Sequence, residues 1–454
     1  MLRNFYNTFV NCFKIPELSS RIYFTLGLLA VAQLLGFVRL PGIDGNVLAA
    51  NLAKAQSSGG ILGLYNTFAG GASDRCAVSA LSIMPYISAT IIIQLLTAVW
   101  PRLSKLVREP DGRTKVVQYG RYLTLVLCVG QGIYFANGWL HPQSMAPLVL
   151  VQNHAWFVVQ SVILMTAGTM LLVWLGEQIT ERGIGNGVSL IIAANILARL
   201  PNAARGLEGM FGGENPTHSL IGTGLLLVIL LIAVIAGVIA ITQAQRKIPV
   251  QYASRMVGQK MYQGSTNYMP LKVNYAGVMP IIFASSILMF PSLALQKLAD
   301  IVHVPFLQDQ FRGLAMDLAY GSWLYLLVYA LMILFFSYFW VATQFNEIQI
   351  ADDLKKNGGY IPGVRPGQGT SDYLHRAMSR ITLAGALALT IIATIPIILY
   401  KQLSIDQNVA QFFGGTSILI AVGVLLDTMR QVESHLMMRH YDGFLKKGKI
   451  RGRF

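Results

Sequence analysis

The side chains able to ligate a metal or run acid–base chemistry are few in this chain of 454 residues: seven histidines, three cysteines and 20 acidic residues. His141, His154, His218, His303, His375, His435 and His440 form no complete metal-ligand set with one another or with cysteine. Cys12, Cys76 and Cys128 are scattered and odd in number, so they read as small apolar residues rather than a disulfide framework. No nucleophile, acid and base share a motif. The residues therefore point away from an enzyme, and no cofactor or metal is called for.

The densest polar motif is Gly176-Glu177-Gln178-Ile179-Thr180-Glu181-Arg182-Gly183-Ile184-Gly185-Asn186-Gly187. Its glycines permit a tight turn, its Glu and Arg residues suit pairing across that turn, and Asn186 suits the N-cap of a following helix. Such a turn needs a helix on either side. The sequence around it supplies them in quantity.

Apolar types make up 54% of the chain and charged types 12%, about half the charged share of a soluble domain. Ten stretches are apolar enough to cross a hydrocarbon core, which takes roughly 20 helical residues. They are 22–38, 77–98, 119–137, 155–176, 187–200, 219–242, 274–295, 319–342, 381–399 and 412–429. Residues 59–71, rich in glycine and weakly apolar, read as a segment that enters the membrane without crossing it. The N-terminal 20 residues carry no cleavage pattern, so the first span is expected to stay in the protein.

The net charge of +15 is distributed unevenly. Loops on one side of a ten-span layout hold 27 of the 35 Lys and Arg residues, including both termini. Positive residues remain on the cytoplasmic side, so both termini are expected there. No ionisable residue stands in the middle of a span; Arg121, Glu177, Asp427 and Arg430 lie near span edges. Buried charges mark proton relays and ion-coupled sites, so an ion-coupled secondary transporter of a small solute is the weaker alternative.

The ordered motifs resemble the SecY family of protein-conducting channels. Beside residues 176–187 they include Pro41-Gly42-Ile43-Asp44, Phe68-Ala69-Gly70-Gly71, Ile83-Met84-Pro85-Tyr86-Ile87-Ser88-Ala89 and Ile93-Gln94-Leu95-Leu96. Leu271-Lys272-Val273-Asn274, Ala276-Gly277-Val278-Met279-Pro280, Phe283-Ala284-Ser285-Ser286, Ile361-Pro362-Gly363-Val364-Arg365-Pro366-Gly367 and Phe413-Gly414-Gly415-Thr416-Ser417 complete the set. The resemblance implies an all-α polytopic fold, with ten transmembrane helices in two pseudo-symmetric five-helix halves around an hourglass pore. The halves would be residues 1–200 and 219–432, joined by an outer loop at 201–218 and followed by a basic tail, 433–454.

Carried over position by position, the resemblance implies four groups of working residues. A ring of Ile83, Ile87, Val188, Ile192, Ile282 and Ile420 would seal the waist, since a narrow apolar constriction dewets and blocks ions. A plug over residues 60–73, with Gly60, Leu64, Tyr65, Phe68, Gly70 and Gly71, would fill the outer funnel. Glycine lowers helix propensity by about 1 kcal/mol relative to alanine, which suits a segment that moves. Ser88, Thr90, Gln94, Gln131, Ser285 and Ser286 would line a lateral gate, with hydrogen bonds of roughly 1 kcal/mol across the helix seam.

Arg246, Lys247 and Arg255 in the loop 243–273, and Arg365 in the loop 343–380, would meet the ribosome or the SecA motor. Pro249 departs from the family pattern and puts the geometry of the first loop's tip in question. Val188, where isoleucine is more usual, would widen the ring slightly. The resemblance also implies SecE and SecG as subunits, signal sequences and unfolded polypeptides as clients, lipid as the lateral exit, and a bacterial cytoplasmic (inner) membrane as the location.

Overall fold

The computed structural model describes residues 16–48, 66, 68–109, 112–140, 148–212, 220–252, 255–257, 260–262, 266–301, 305–319, 321–402, 409–410, 412 and 416–447. The chain divides into two compact units, Met1–Arg205 with Ile420–Phe454, and Gly206–Leu419. Among the described residues seven helices are long and apolar enough to cross a membrane, and eight if one sharply bent pair counts as a span.

The first unit is helical. It holds α1 (Pro16–Leu35), α2 (Met84–Val99), α3 (Pro101–Arg108), α4 (Gly112–Leu140), α5 (His154–Arg182) and α6 (Gly187–Ala198). The start of α7 (Leu200–Gly212) and, from Ile420, α14 (Thr416–Lys447) complete it. Helix starts follow local chemistry. Asn153 accepts from the Trp156 amide at 3.3 Å, which satisfies a donor that has no partner inside α5. Proline lies within the first two positions of both α2 and α3. Because Pro101 disfavours helical geometry at the residue before it, Trp100 is extended and the α2–α3 pair bends by 104°. Phe157, Met165 and Ile179 of α5 are fully buried against its neighbours α1, α4 and α6.

The second unit combines helices with a small sheet. Its helices are α8 (Leu225–Gln243), α9 (Met279–Ile301), α10 (Pro305–Asp317), α11 (Trp323–Gln344), α12 (Glu347–Lys356) and α13 (Gln368–Gln402). Its strands are β1 (Gln245–Tyr252), β2 (Arg255–Val257), β3 (Lys260–Tyr262), β4 (Thr266–Lys272) and β5 (Gly359–Tyr360). Leu225, Ile229 and Ile232 of α8 are exposed, the surface expected of a helix whose solvent is lipid. Phe283 of α9 meets Phe336 and Trp340 of α11 edge-on, at centroid separations of 5.8 and 5.5 Å.

The strands are a feature the span pattern did not announce. β1 pairs antiparallel with β4 from Gln245↔Lys272 to Gln251↔Thr266, and with β5 at Gln251↔Tyr360 and Tyr252↔Gly359. The sheet therefore ties the loop after α8 to the loop after α12. Ile248, Val250 and Leu271 on one face bury against Val341, Phe345, Ile361, Leu374 and Ile381. Each fully buried aliphatic side chain contributes about 1.5–3 kcal/mol, so this small sheet is well anchored.

Several boundaries differ from the sequence reading. The second expected span starts late, at Met84, because residues 69–83 fold into turns. The fifth is followed directly by α7, so the outer loop expected at 201–218 is helical over residues 201–212. The ninth begins 13 residues early, at Gln368, and the tenth continues to Lys447. The seventh starts at Met279 as α9 and runs to Ile301, with Pro291 inside the helix.

Candidate functional site

The turn between α5 and α6 is held from four directions. The Thr180 hydroxyl donates to the Gly176 carbonyl and accepts from the Gly187 amide, both at 2.9 Å. Asn186 caps α6 as expected, its Oδ1 accepting from the Ser189 amide at 3.1 Å. The Ile184 amide donates to Thr25 Oγ1 of α1 at 3.1 Å, and the Gly185 amide to Gln431 Oε1 of α14 at 2.9 Å. Leu18, Ile184 and Val432 bury together beneath these bonds.

The expected pairing of Glu with Arg across the turn is not what Glu177 does. Its carboxylate accepts from Arg121 Nη2 of α4 through both oxygens at 2.8 Å. The reason is helical geometry: Glu177 lies inside α5, one turn and more before the chain reverses, and α4 runs alongside.

The turn presents α6, and α6 presents two of the proposed ring residues. Ile192 is buried and Val188 half-buried. Ile83 stands at the N-cap of α2 and Ile87 one turn into it, both buried. Ile420 of α14 and Ile282 of α9 are buried as well. Ile282 belongs to the second unit and the other five to the first.

Of the plug residues, Gly60, Leu64 and Tyr65 lie outside the described residues. Phe68, Gly70 and Gly71 are buried in the turn-rich stretch that precedes α2. Asn195 of α6 donates from Nδ2 to the Phe68 carbonyl at 2.9 Å and to Ser82 Oγ at 3.2 Å. Span-based reasoning missed Asn195, Ser82, Asp74 and Arg199. The readable signal was an amide in the middle of an otherwise apolar run.

Three of the six polar residues proposed for the lateral gate bond to their own helix. Thr90 donates to the Tyr86 carbonyl at 2.6 Å, and Ser285 and Ser286 to the Ile282 carbonyl at 2.9 and 2.7 Å. These are bonds within one helix, not across a seam, because a hydroxyl three or four residues on reaches its own helix's carbonyl first. Ser88 is buried and Gln94 half-buried on α2. Gln131 on α4 keeps a buried Oε1 with no hydrogen-bond donor among the described residues.

Three of the four basic residues proposed for docking are exposed: Arg246 and Lys247 at the start of β1, and Arg365 in the loop before α13. Arg365 sits between two glycines of positive φ, Gly363 at +80° and Gly367 at +93°, and its carbonyl accepts from Thr370 Oγ1 at 3.0 Å. Arg255 lies on β2, in the hairpin beyond β1. Pro249 is not at a loop tip. It pairs with Tyr268 inside β1, where β5 has not yet begun, so the strand has a free edge that tolerates a residue without an N–H.

A sequence model of the SecY family matches residues 77–429. The chain is 43% identical to the protein translocase subunit SecY of Thermotoga maritima, over 99% of this chain and 100% of that one. Its fold is similar to that in "The structure of a protein conducting channel", with a TM-score of 0.56 and 18% identity over 91% of each chain. It is also similar to the channel of the canine ribosome-channel complex from the endoplasmic reticulum, with a TM-score of 0.52 and 17% identity over 91% of each. With most of its length matched by the family model and nearly all of it aligned to a translocase subunit, the chain belongs to the SecY family.

Proposed function

We propose that this chain is the protein-conducting subunit of a translocase: it passes unfolded secretory polypeptides across a membrane and hydrolyses nothing itself. The observation that carries this is the end-to-end identity of 43% with a protein translocase subunit. Multiple apolar helices make it a multi-pass membrane protein. The scarcity of charge inside the spans supports a passage sealed by aliphatic side chains over an ion-coupled transporter.

In this reading Ile83, Ile87, Val188, Ile192, Ile282 and Ile420 form the waist, and the segment around Phe68, Gly70 and Gly71 forms the plug. Hydrophobic signal sequences leave sideways past Ser88, Thr90, Gln94, Gln131, Ser285 and Ser286 into lipid. The excess of Lys and Arg on one set of loops supports cytoplasmic termini in a bacterial inner membrane. SecE and SecG are the subunits beside it, and SecA or the ribosome supplies the drive from the cytoplasmic face. A solved relative in a ribosome-channel complex supports the ribosome as a partner. The sheet that joins two basic loops supports such docking: Arg246 and Lys247 lie on β1 itself, Arg255 in the hairpin beyond it and Arg365 in the loop after β5.

The test is reconstitution. The chain is purified with its co-purifying small subunits, placed in proteoliposomes and supplied with SecA, ATP and an unfolded secretory precursor. Protease-protected precursor in the lumen is the expected result. Vesicles that take up a small solute down an ion gradient, yet protect no precursor, would overturn the reading in favour of the transporter.

A further inference from the structure

The stretch from Asn66 to Ser82 is held by its own short turns, by backbone bonds to Val38 and Leu40 after α1, and by side chains that reach it from α6. It makes short-range turns, such as the Ala72 amide to the Ala69 carbonyl at 3.1 Å and the Ser82 amide to the Ser79 carbonyl at 2.8 Å. Cys76 and Ser82 both adopt positive φ, +48° and +53°, a region that L-residues with side chains occupy only when their surroundings hold them there. Such a stretch has little reason to keep this shape if its anchors are cut.

The Asn195 side chain supplies the anchor to α6. Buried in α6, it donates to the Phe68 carbonyl and to Ser82 Oγ, and its Oδ1 accepts from Gln33 Nε2 of α1 at 2.8 Å. Ser82 Oγ donates in turn to the same Phe68 carbonyl at 3.0 Å. One amide therefore joins both ends of the stretch to two helices. At Gly70 the backbone passes so close to α6 that a Cβ would stand 3.2 Å from Asn195 Cα. A second anchor flanks the first. Arg199, one turn further along the chain, lies 3.9 Å from Asp74, and Asn66 Nδ2 donates to the same carboxylate oxygen. Arg75 reaches the Gly70 carbonyl at 2.9 Å while its guanidinium covers the Phe37 ring at 4.4 Å.

We propose that Asn195 is a positioning residue that latches the stretch 66–82 onto α6 and α1, and so sets how readily the plug leaves its seat. The proposal rests on the channel reading for its consequence, but the latch itself is a property of the chain. A buried amide with three hydrogen bonds suits a two-state device. Each bond contributes modestly while made, yet an apolar replacement leaves the half-buried Gln33 amide without its acceptor, and leaves the Phe68 carbonyl with Ser82 Oγ as its remaining side-chain donor, so the seated state alone is penalised.

The experiment labels Cys76, which is 1% exposed, with a maleimide in the full complex, in a Cys12→Ser, Cys128→Ser background. Asn195→Leu keeps the volume and removes the bonds; about tenfold faster labelling of Cys76 is expected. Ser82→Ala, which removes one member of the network, is expected to give a smaller acceleration in the same direction, and it serves if the leucine variant does not assemble. Labelling at the unsubstituted rate in an assembled Asn195→Leu or Ser82→Ala complex overturns the latch. The same complexes are tested for export of a precursor with a crippled signal sequence, where Asn195→Leu is expected to raise the yield. If the unsubstituted complex exports no precursor at all, the channel reading fails, while the labelling rates still decide the latch.

Discussion

Gly187 crosses Gly176 so closely that a Cβ built on Gly187 would stand 2.0 Å from the Gly176 carbonyl oxygen. A Cβ on Gly176 would in turn stand 3.2 Å from Val188 Cγ2. The turn motif and a proposed ring residue are therefore one packing unit. The glycines set how deeply α6 nests against α5, and that depth sets where Val188 and Ile192 are presented.

Gly187→Ala is expected to force the two helices apart rather than to be absorbed by a flexible neighbour, because the obstructing atom is backbone. Overpacking of this kind costs about 1–3 kcal/mol. A lower thermal midpoint of the detergent-solubilised complex, with reduced accumulation in membranes, is the expected outcome. A midpoint equal to that of the unsubstituted protein would mean that the crossing can relax.

The Arg121–Glu177 pair allows a gentler test of the same region. Both side chains are partly exposed, 46% and 26%, so solvent screening limits the pair to about 1 kcal/mol or less. Glu177→Gln is expected to lower stability by no more than that, Arg121→Glu to do worse through repulsion, and the Arg121→Glu, Glu177→Arg exchange to recover part of the loss. A double-mutant cycle on thermal midpoints measures the coupling. Strictly additive effects would show that α4 and α5 are held without this pair.

Arg365→Glu is expected to weaken SecA- or ribosome-driven export by about fivefold to tenfold, more strongly at low salt, since an exposed charge acts chiefly on the rate of encounter. The fold should not suffer. What holds the turn is the Thr370 hydroxyl on the Arg365 carbonyl, and that bond survives the substitution. Melting curves and export kinetics are measured together: an unchanged export rate at unchanged stability would leave the loop a structural element only.

How far the sequence could be read depended on whether one residue type dominated a stretch. Long apolar runs announced the helices because twenty apolar residues have few other fates in lipid, and Asn186 announced its cap because an amide before a helix has one obvious donor to meet. β1 was harder. Ile248 and Val250 alternate with exposed Lys247 and Pro249, a period of two that is short, interrupted by proline and flanked by charge. The late start of α2 was harder still, since residues 77–83 are apolar enough for a span. Their turns meet Asn195, over a hundred positions away, and include a left-handed Ser82 that no local pattern marks. The hydroxyls of Thr90, Ser285 and Ser286 were placed correctly on their helices but given distant partners, when the nearer carbonyl was available.

The proposed waist offers the most direct functional test, because its six positions come from stretches far apart in the chain, five of them in the first unit and Ile282 in the second. Replacing Ile83, Ile192, Ile282 and Ile420 with glycine removes four buried aliphatic side chains. If they share a constriction, water wets it and ions follow, since dewetting requires apolar walls at close quarters. A steady ion conductance through the resting complex in planar bilayers is expected, absent from the unsubstituted protein. Glycine also weakens each helix by about 1 kcal/mol, so loosened helices are a second cause of a leak. The fourfold leucine variant separates the two causes: it keeps side-chain volume and apolarity, and it is expected to stay sealed. Leakage from the leucine and glycine variants alike would point to helix disruption, and silence from the glycine variant would remove these residues from the pore.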